Sequence, residues 1–179
     1  MKKLIAALLL LNITITYSQS IELDHPDLIE PLLTEFRYEA RKRGLFIDGH
    51  IAKNLGGVQV VTEEEIEKLY RPKKDEKCNC LAIMGYKTLK DLYNYHYYIP
   101  YIYLRDKVID YPQGLRVVLF HELGHLYGME HSTGIMSLGL SVKQRYTEKE
   151  WKAYLDTFFE ELQQADLKKR KRRNDNTFH

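Results

Sequence analysis

His121-Glu122-Leu123-Gly124-His125-Leu126-Tyr127-Gly128-Met129-Glu130-His131 is the stretch on which the reading of this chain turns. His121 and His125 are four residues apart, so a helix stacks them on one face and presents two imidazoles to a single ion. Glu122 is rotated about 100° from His121, which sets its carboxylate beside such an ion rather than on it. A continuing helix would carry His131 about 9 Å along the axis beyond His125. Gly128 can adopt the positive φ that ends a helix, and the chain can then return His131 as a third ligand. Three neutral imidazoles that leave a fourth position to water form the donor set of a catalytic zinc site. Glu122 is placed to take a proton from that water and pass it to a leaving amine. The expected chemistry is amide hydrolysis, most simply of a peptide bond. The competing readings are three unrelated histidines, and a zinc site that binds without cutting; Glu122 counts against the second.

These residues resemble the metzincin metallopeptidases, whose pattern is H-E-x-x-H-x-x-G-x-x-H followed by a methionine turn. His121, Glu122, His125, Gly128 and His131 match it throughout, and Ser132 follows the third histidine as in the matrixin branch. Met136, in Gly134-Ile135-Met136-Ser137, corresponds to the turn methionine, which in that family lies beneath the zinc without binding it. The resemblance implies an α+β zincin domain with a small mixed twisted sheet, an active-site helix and a C-terminal helix. It also implies Zn2+ as cofactor, a polypeptide substrate bound along an edge strand, and endopeptidase activity. The gap from His131 to Met136 is short beside many matrixins, and the chain carries no recognisable cysteine switch or long pro-segment. Tyr146 is too far from Met136 to match the tyrosine that some relatives bring near the metal, and it reads as a core or surface residue.

Working outward, Pro112 suits a first helical turn, so the motif helix is expected over 112–127. Thr147 and Glu150 have the spacing of a capping box, and Trp151, Tyr154, Leu155, Phe158, Leu162 and Ala165 trace one apolar face, which predicts a helix over 147–167. Ile29, Leu32, Leu33, Phe36 and Ala40 predict another over 27–43, with Pro31 pointing to a later start and Gly44 to a cap. Val58 to Val61 and Leu81 to Tyr86 are β-prone runs. Thr62 with Glu65 opens a short helix toward Tyr70, and 71–77 reads as a surface loop. Six tyrosines lie between Tyr93 and Tyr103 with much period-two spacing. Pro100 is awkward in a central strand, which predicts an edge strand over 99–104. Such an edge either offers its backbone to an extended peptide or simply packs its own rings.

Residues 19–167 are long enough for one domain with a real core. Before them, Lys2, Lys3 and the apolar run from Leu4 to Leu11 read as a secretory signal over 1–18, with Thr16 and Ser18 preceding the cut. The run is short for a bilayer span of about 20 residues, so no membrane span is expected in the mature chain, and a retained anchor is the alternative. The expected location is secreted or periplasmic. Two cysteines, Cys78 and Cys80, exclude a multi-bridge scaffold and leave open a small strained ring or two buried thiols. Lys168, Lys169, Arg170, Lys171, Arg172 and Arg173 form a basic tail, 168–179, expected to be disordered. It reads either as a binder of an anionic surface or as solvated cations suited to a helix end. No framework for nucleic acid accompanies it. The whole reads as an exported zinc-dependent endopeptidase. The alternative is a non-catalytic, zinc-containing peptide- or glycan-binding module of the same fold. The histidines His25, His50, His96 and His179 are solitary and carry no assignment.

Overall fold

The computed structural model describes residues 21–47, 51, 54–70, 80–90, 95–143 and 145–175; the expected signal at 1–18, His50, Cys78 and His179 lie outside them. Among the described residues the order is β1 (Glu22–Leu23), α1 (Pro26–Lys42), β2 (Gly57–Val61), α2 (Glu63–Tyr70), β3 (Ala82–Lys90), β4 (His96–Arg105), α3 (Pro112–Leu126) and α4 (Glu148–Asp175). The class is α+β, as the sequence implied.

The strands form one mixed sheet in the order β1-β2-β4-β3. β1, β2 and β4 are mutually parallel, and β3 runs antiparallel to β4. This corrects the sequence reading of the tyrosine-rich segment. β4 is an inner strand, and β3 is the edge. Pro100 is tolerated because of which flank it faces. Its carbonyl accepts from the Gly56 N–H at 2.9 Å. In a strand, the N–H and C=O of one residue point the same way, so the missing donor of Pro100 also faces β2. There the parallel ladder opens only at the next residue, Tyr101, opposite Gly57. No bond to β3 is lost.

Alternation along β4 divides the two faces. Ile102 and Leu104 join the main core with Val58, Phe36, Phe120 and Trp151. Ile99, Tyr101 and Tyr103 form a smaller cluster on the opposite face, with Val61 and Ile83 packed against it. α1 starts at Pro26, and Pro31 lies inside it. A proline inside a helix costs about 3 kcal/mol. The fully buried stripe of Ile29, Leu33, Phe36 and Ala40 outweighs that, since each large apolar side chain contributes about 1.5–3 kcal/mol.

Both capping boxes form. The Glu65 N–H donates to Thr62 Oγ1 at 3.3 Å, and the Glu150 N–H to Thr147 Oγ1 at 3.2 Å. α4 docks Trp151, Leu155, Phe158, Phe159 and Leu162 on the core. It continues to Asp175, through the basic run assigned to a disordered tail. Lys and Arg are good helix formers, and cations suit a helix C-terminus. Cys80 is disulfide-bonded.

Candidate metal centre

α3 is buried along most of its length, from Gly114 to Gly124, rather than along one stripe. The sheet lies on one side of it and α4 on another, so most of its side chains are held by packing. Its end is a Schellman motif: the Gly128 N–H donates to His125 O at 2.9 Å, and the Met129 N–H to Gly124 O at 3.1 Å. Gly128 has φ 86°, the left-handed conformation this cap needs. The helix, breaker and return read from the sequence are all present.

The turn also does chemical work. It brings the Met129 carbonyl to His125 Nδ1 at 2.9 Å. Farther on, a 3-10 turn over Gly134–Met136 brings the Ile135 carbonyl to His121 Nδ1 at 2.8 Å. A carbonyl oxygen only accepts, so in both rings Nδ1 carries the proton and Nε2 keeps a lone pair. Those lone pairs face inward. His125 Nε2 lies 3.0 Å from His121 Nε2 and 3.2 Å from His131 Nε2. Zinc–imidazole bonds of about 2.0–2.1 Å in a tetrahedral arrangement put their nitrogens about 3.3 Å apart. The three histidines therefore fit a metal ion. Two lone pairs that close repel each other without a cation or a proton between them.

Burial holds the His121 imidazole down at about 4, with the neighbouring His125 and His131 acting in the same direction. His125 is lowered as well, mainly by burial. Glu122 is buried, and burial raises its carboxyl to about 7. A divalent cation at the three imidazoles opposes that last effect.

A cavity of about 440 Å³ opens over the cluster. Edge strand β3 bounds it with Ala82, Ile83 and Met84. Val118 of α3 and Leu138 and Leu140, which follow the 3-10 turn, line it elsewhere, and Glu122 and all three histidines reach it. Met136 does not line the cavity. It is buried, with its sulfur against Gly124. Ser132 Oγ donates to Glu161 Oε2 at 2.7 Å, tying the loop of the third histidine to α4. Tyr146 lies away from the site, buried and stacked on Trp151 with ring centroids 5.0 Å apart. His25 and His96 are exposed at element starts, away from the cluster.

Sequence reasoning missed the two carbonyls that fix the imidazole tautomers, because a backbone group has no letter of its own. It also missed β3 as the strand beside the site. The signal for that was present in the β-prone run from Leu81, but the proline in β4 outweighed it. Comparison with protein-family models, curated proteins and solved structures gives no match.

Proposed function

We propose that this chain is an exported zinc endopeptidase of the metzincin type. His121, His125 and His131 hold the ion, Glu122 is the general base and Met136 is the turn methionine. The observation that carries the reading is the convergence of three Nε2 atoms, two of them stripped of their protons by carbonyls behind the rings.

When bound, zinc supplies a Lewis acid that acidifies water and polarises a carbonyl. The residues around it do the rest. The Ile135 and Met129 carbonyls orient the first two ligands, and such outer partners are worth about 10–100-fold in metal affinity. Glu122 takes a proton from water and returns it to the departing amine. Its burial keeps the carboxylate poorly hydrated and fixed in place. Among the described residues β3 is a sheet edge along the cavity, on which an extended polypeptide can add as a further strand. The apolar walls suit an uncharged side chain next to the cleaved bond. The run from Lys2 to Leu11 supports export. Among the described residues no helix is long and apolar enough to cross a membrane.

Metal analysis of the purified mature chain, paired with a peptide-library digest with and without a chelator, tests the reading. The expected result is one zinc per chain and cleavage that stops with chelator and returns with zinc. Bound zinc without chelator-sensitive cleavage favours a binding module instead. The exposed Tyr86, Tyr95 and Tyr98 are the observation on that side, since aromatic faces grip peptides and sugars without cutting them.

A further inference from the structure

The chain beyond the third histidine returns along α3 and meets it at two glycines. A Cβ on Gly124 would lie 2.6 Å from Met136 Sδ, and a Cβ on Gly114 would lie 2.3 Å from the Val142 carbonyl oxygen. The two glycines are ten residues apart on the helix, about 15 Å along its axis. Met136 and Val142 are six residues apart, which span at most about 20 Å when fully extended. The segment between them is a strap held against α3 at both ends. Leu140 and, at the open mouth, the 80 % exposed Leu138 line the metal cavity together with Val118 and His121 of the helix to which the strap is docked.

The far end of the strap is locked again just past Val142. The Tyr146 N–H donates to Gln113 Oε1 at 3.2 Å, Gln113 Nε2 donates to Tyr146 O at 3.3 Å, and Tyr146 Oη donates to Gln113 O at 3.1 Å. Gln113 is the neighbour of Gly114 in the first turn of α3. Its side chain and the bare α-carbon beside it thus hold one end of the cavity wall.

We propose that Gly114 is a specificity-determining position. By having no side chain it lets the Val142 carbonyl dock on α3, which keeps the strap as a fixed wall and limits the length of the apolar side chain the cavity takes. Gln113 is the positioning residue that holds the same end. The biological meaning of that limit rests on the proposed peptide cleft. The geometry of the wall does not. A Cβ at position 114 meets backbone, so the strap must retreat by about 1 Å to regain contact distance. The cavity then deepens while the imidazole cluster stays in place.

The test uses the zinc-loaded mature chain and a series of hydroxamic acids with methyl, isobutyl, phenethyl and biphenylethyl tails. Wild-type affinity is expected to rise with tail length and then break off. In Gly114→Ala the ratio of biphenylethyl to isobutyl affinity is expected to rise by about tenfold, the scale on which pockets discriminate apolar groups. Zinc content and the spectrum of the cobalt-substituted site stay unchanged. Gln113→Ala is expected to move the ratio in the same direction by less, and it carries the test should Gly114→Ala not fold. Equal loss for all four probes, or an unchanged ratio in both variants, overturns the proposal. So does a higher Tm in Gly114→Ala, since alanine is the better helix former and only the docked carbonyl opposes it. A wild-type chain that shows the break-off but cleaves no peptide keeps the wall and loses the peptidase. A chain that binds none of the probes loses both.

Discussion

The α-carbon of Gly124 faces the sulfur of Met136 so closely that a Cβ there would lie 2.6 Å from it, with Met129 Sδ at 3.2 Å and the Phe158 ring at 3.1 Å. Gly124 → Ala sets two effects against each other. Alanine favours the helix by about 1 kcal/mol, while overpacking a dense core costs about 1–3 kcal/mol. Methionine is flexible, but Met136 is 1 % exposed and has little room to retreat. The expected outcome is a net loss of stability in denaturant titration. Zinc affinity should fall about tenfold, because Ile135 and its carbonyl move with Met136. A more stable variant with unchanged affinity would show that the sulfur yields freely.

Glu122→Gln keeps the shape of the side chain and removes the proposed base. Zinc stoichiometry is expected to stay at the wild-type value, while kcat/KM falls about 10²–10⁴-fold. Atomic absorption and a fluorogenic peptide assay on one preparation read both. Full turnover in a preparation free of wild-type enzyme would remove Glu122 from the mechanism.

The part of the site that was legible in the sequence is the part set by local geometry. The four-residue spacing of His121 and His125, the breaker at Gly128 and the return of His131 depend only on helix geometry and glycine's freedom, and all three are present. The two capping boxes were legible for the same reason. Strand order was not, because it depends on which flank of β4 carries the missing Pro100 donor. A single sequence does not say that. The docking of Val142 on Gly114 joins residues from separate segments, and no periodicity announces it. The helix runs on through the basic residues after Leu167, because Lys and Arg are good helix formers, a propensity that a block of like charge masks in the sequence.

Glu35 joins three helices. It accepts from Arg116 Nε at 2.9 Å and from Trp151 Nε1 at 3.0 Å. Arg116 lies over the Trp151 ring, 4.3 Å from its centroid. Glu35→Ala is expected to destabilise the fold by about 1–3 kcal/mol, because it leaves a buried indole N–H without its acceptor and takes from Arg116 the nearer of two carboxylates, with Glu148 remaining at 3.6 Å. Glu35→Gln, which retains one acceptor for Trp151, should lose less. Equal losses in urea unfolding would mean that the Trp151 bond contributes nothing.

The last prediction concerns acid. His121 titrates at about 4 in the folded chain, below its ordinary 6.5, chiefly through burial. The unfolded chain therefore takes up its proton first as the pH falls. Stability follows the difference in bound protons between the two states. The metal-free protein should keep its full His121 contribution above about pH 6.5 and lose it progressively toward about pH 4. His125, lowered in the same direction, adds to the slope. The lowered carboxylates of Glu64, Glu65 and Glu150 act below their ordinary 4.5, in a separate window. Thermal unfolding of chelator-treated protein from pH 7 to pH 4 reads the effect. Glu122, raised to about 7 by burial, takes up its proton first in the folded chain and so opposes the His121 slope between about 7 and 4.5. His121→Asn, whose amide does not titrate and can still donate to the Ile135 carbonyl, should therefore lose less stability toward acid than the wild type, or gain some. Zinc-loaded protein should fall more steeply than either, because protonation of the ligands also releases the ion. Matching slopes for the wild type and His121→Asn would mean that the buried imidazole is not what acid attacks.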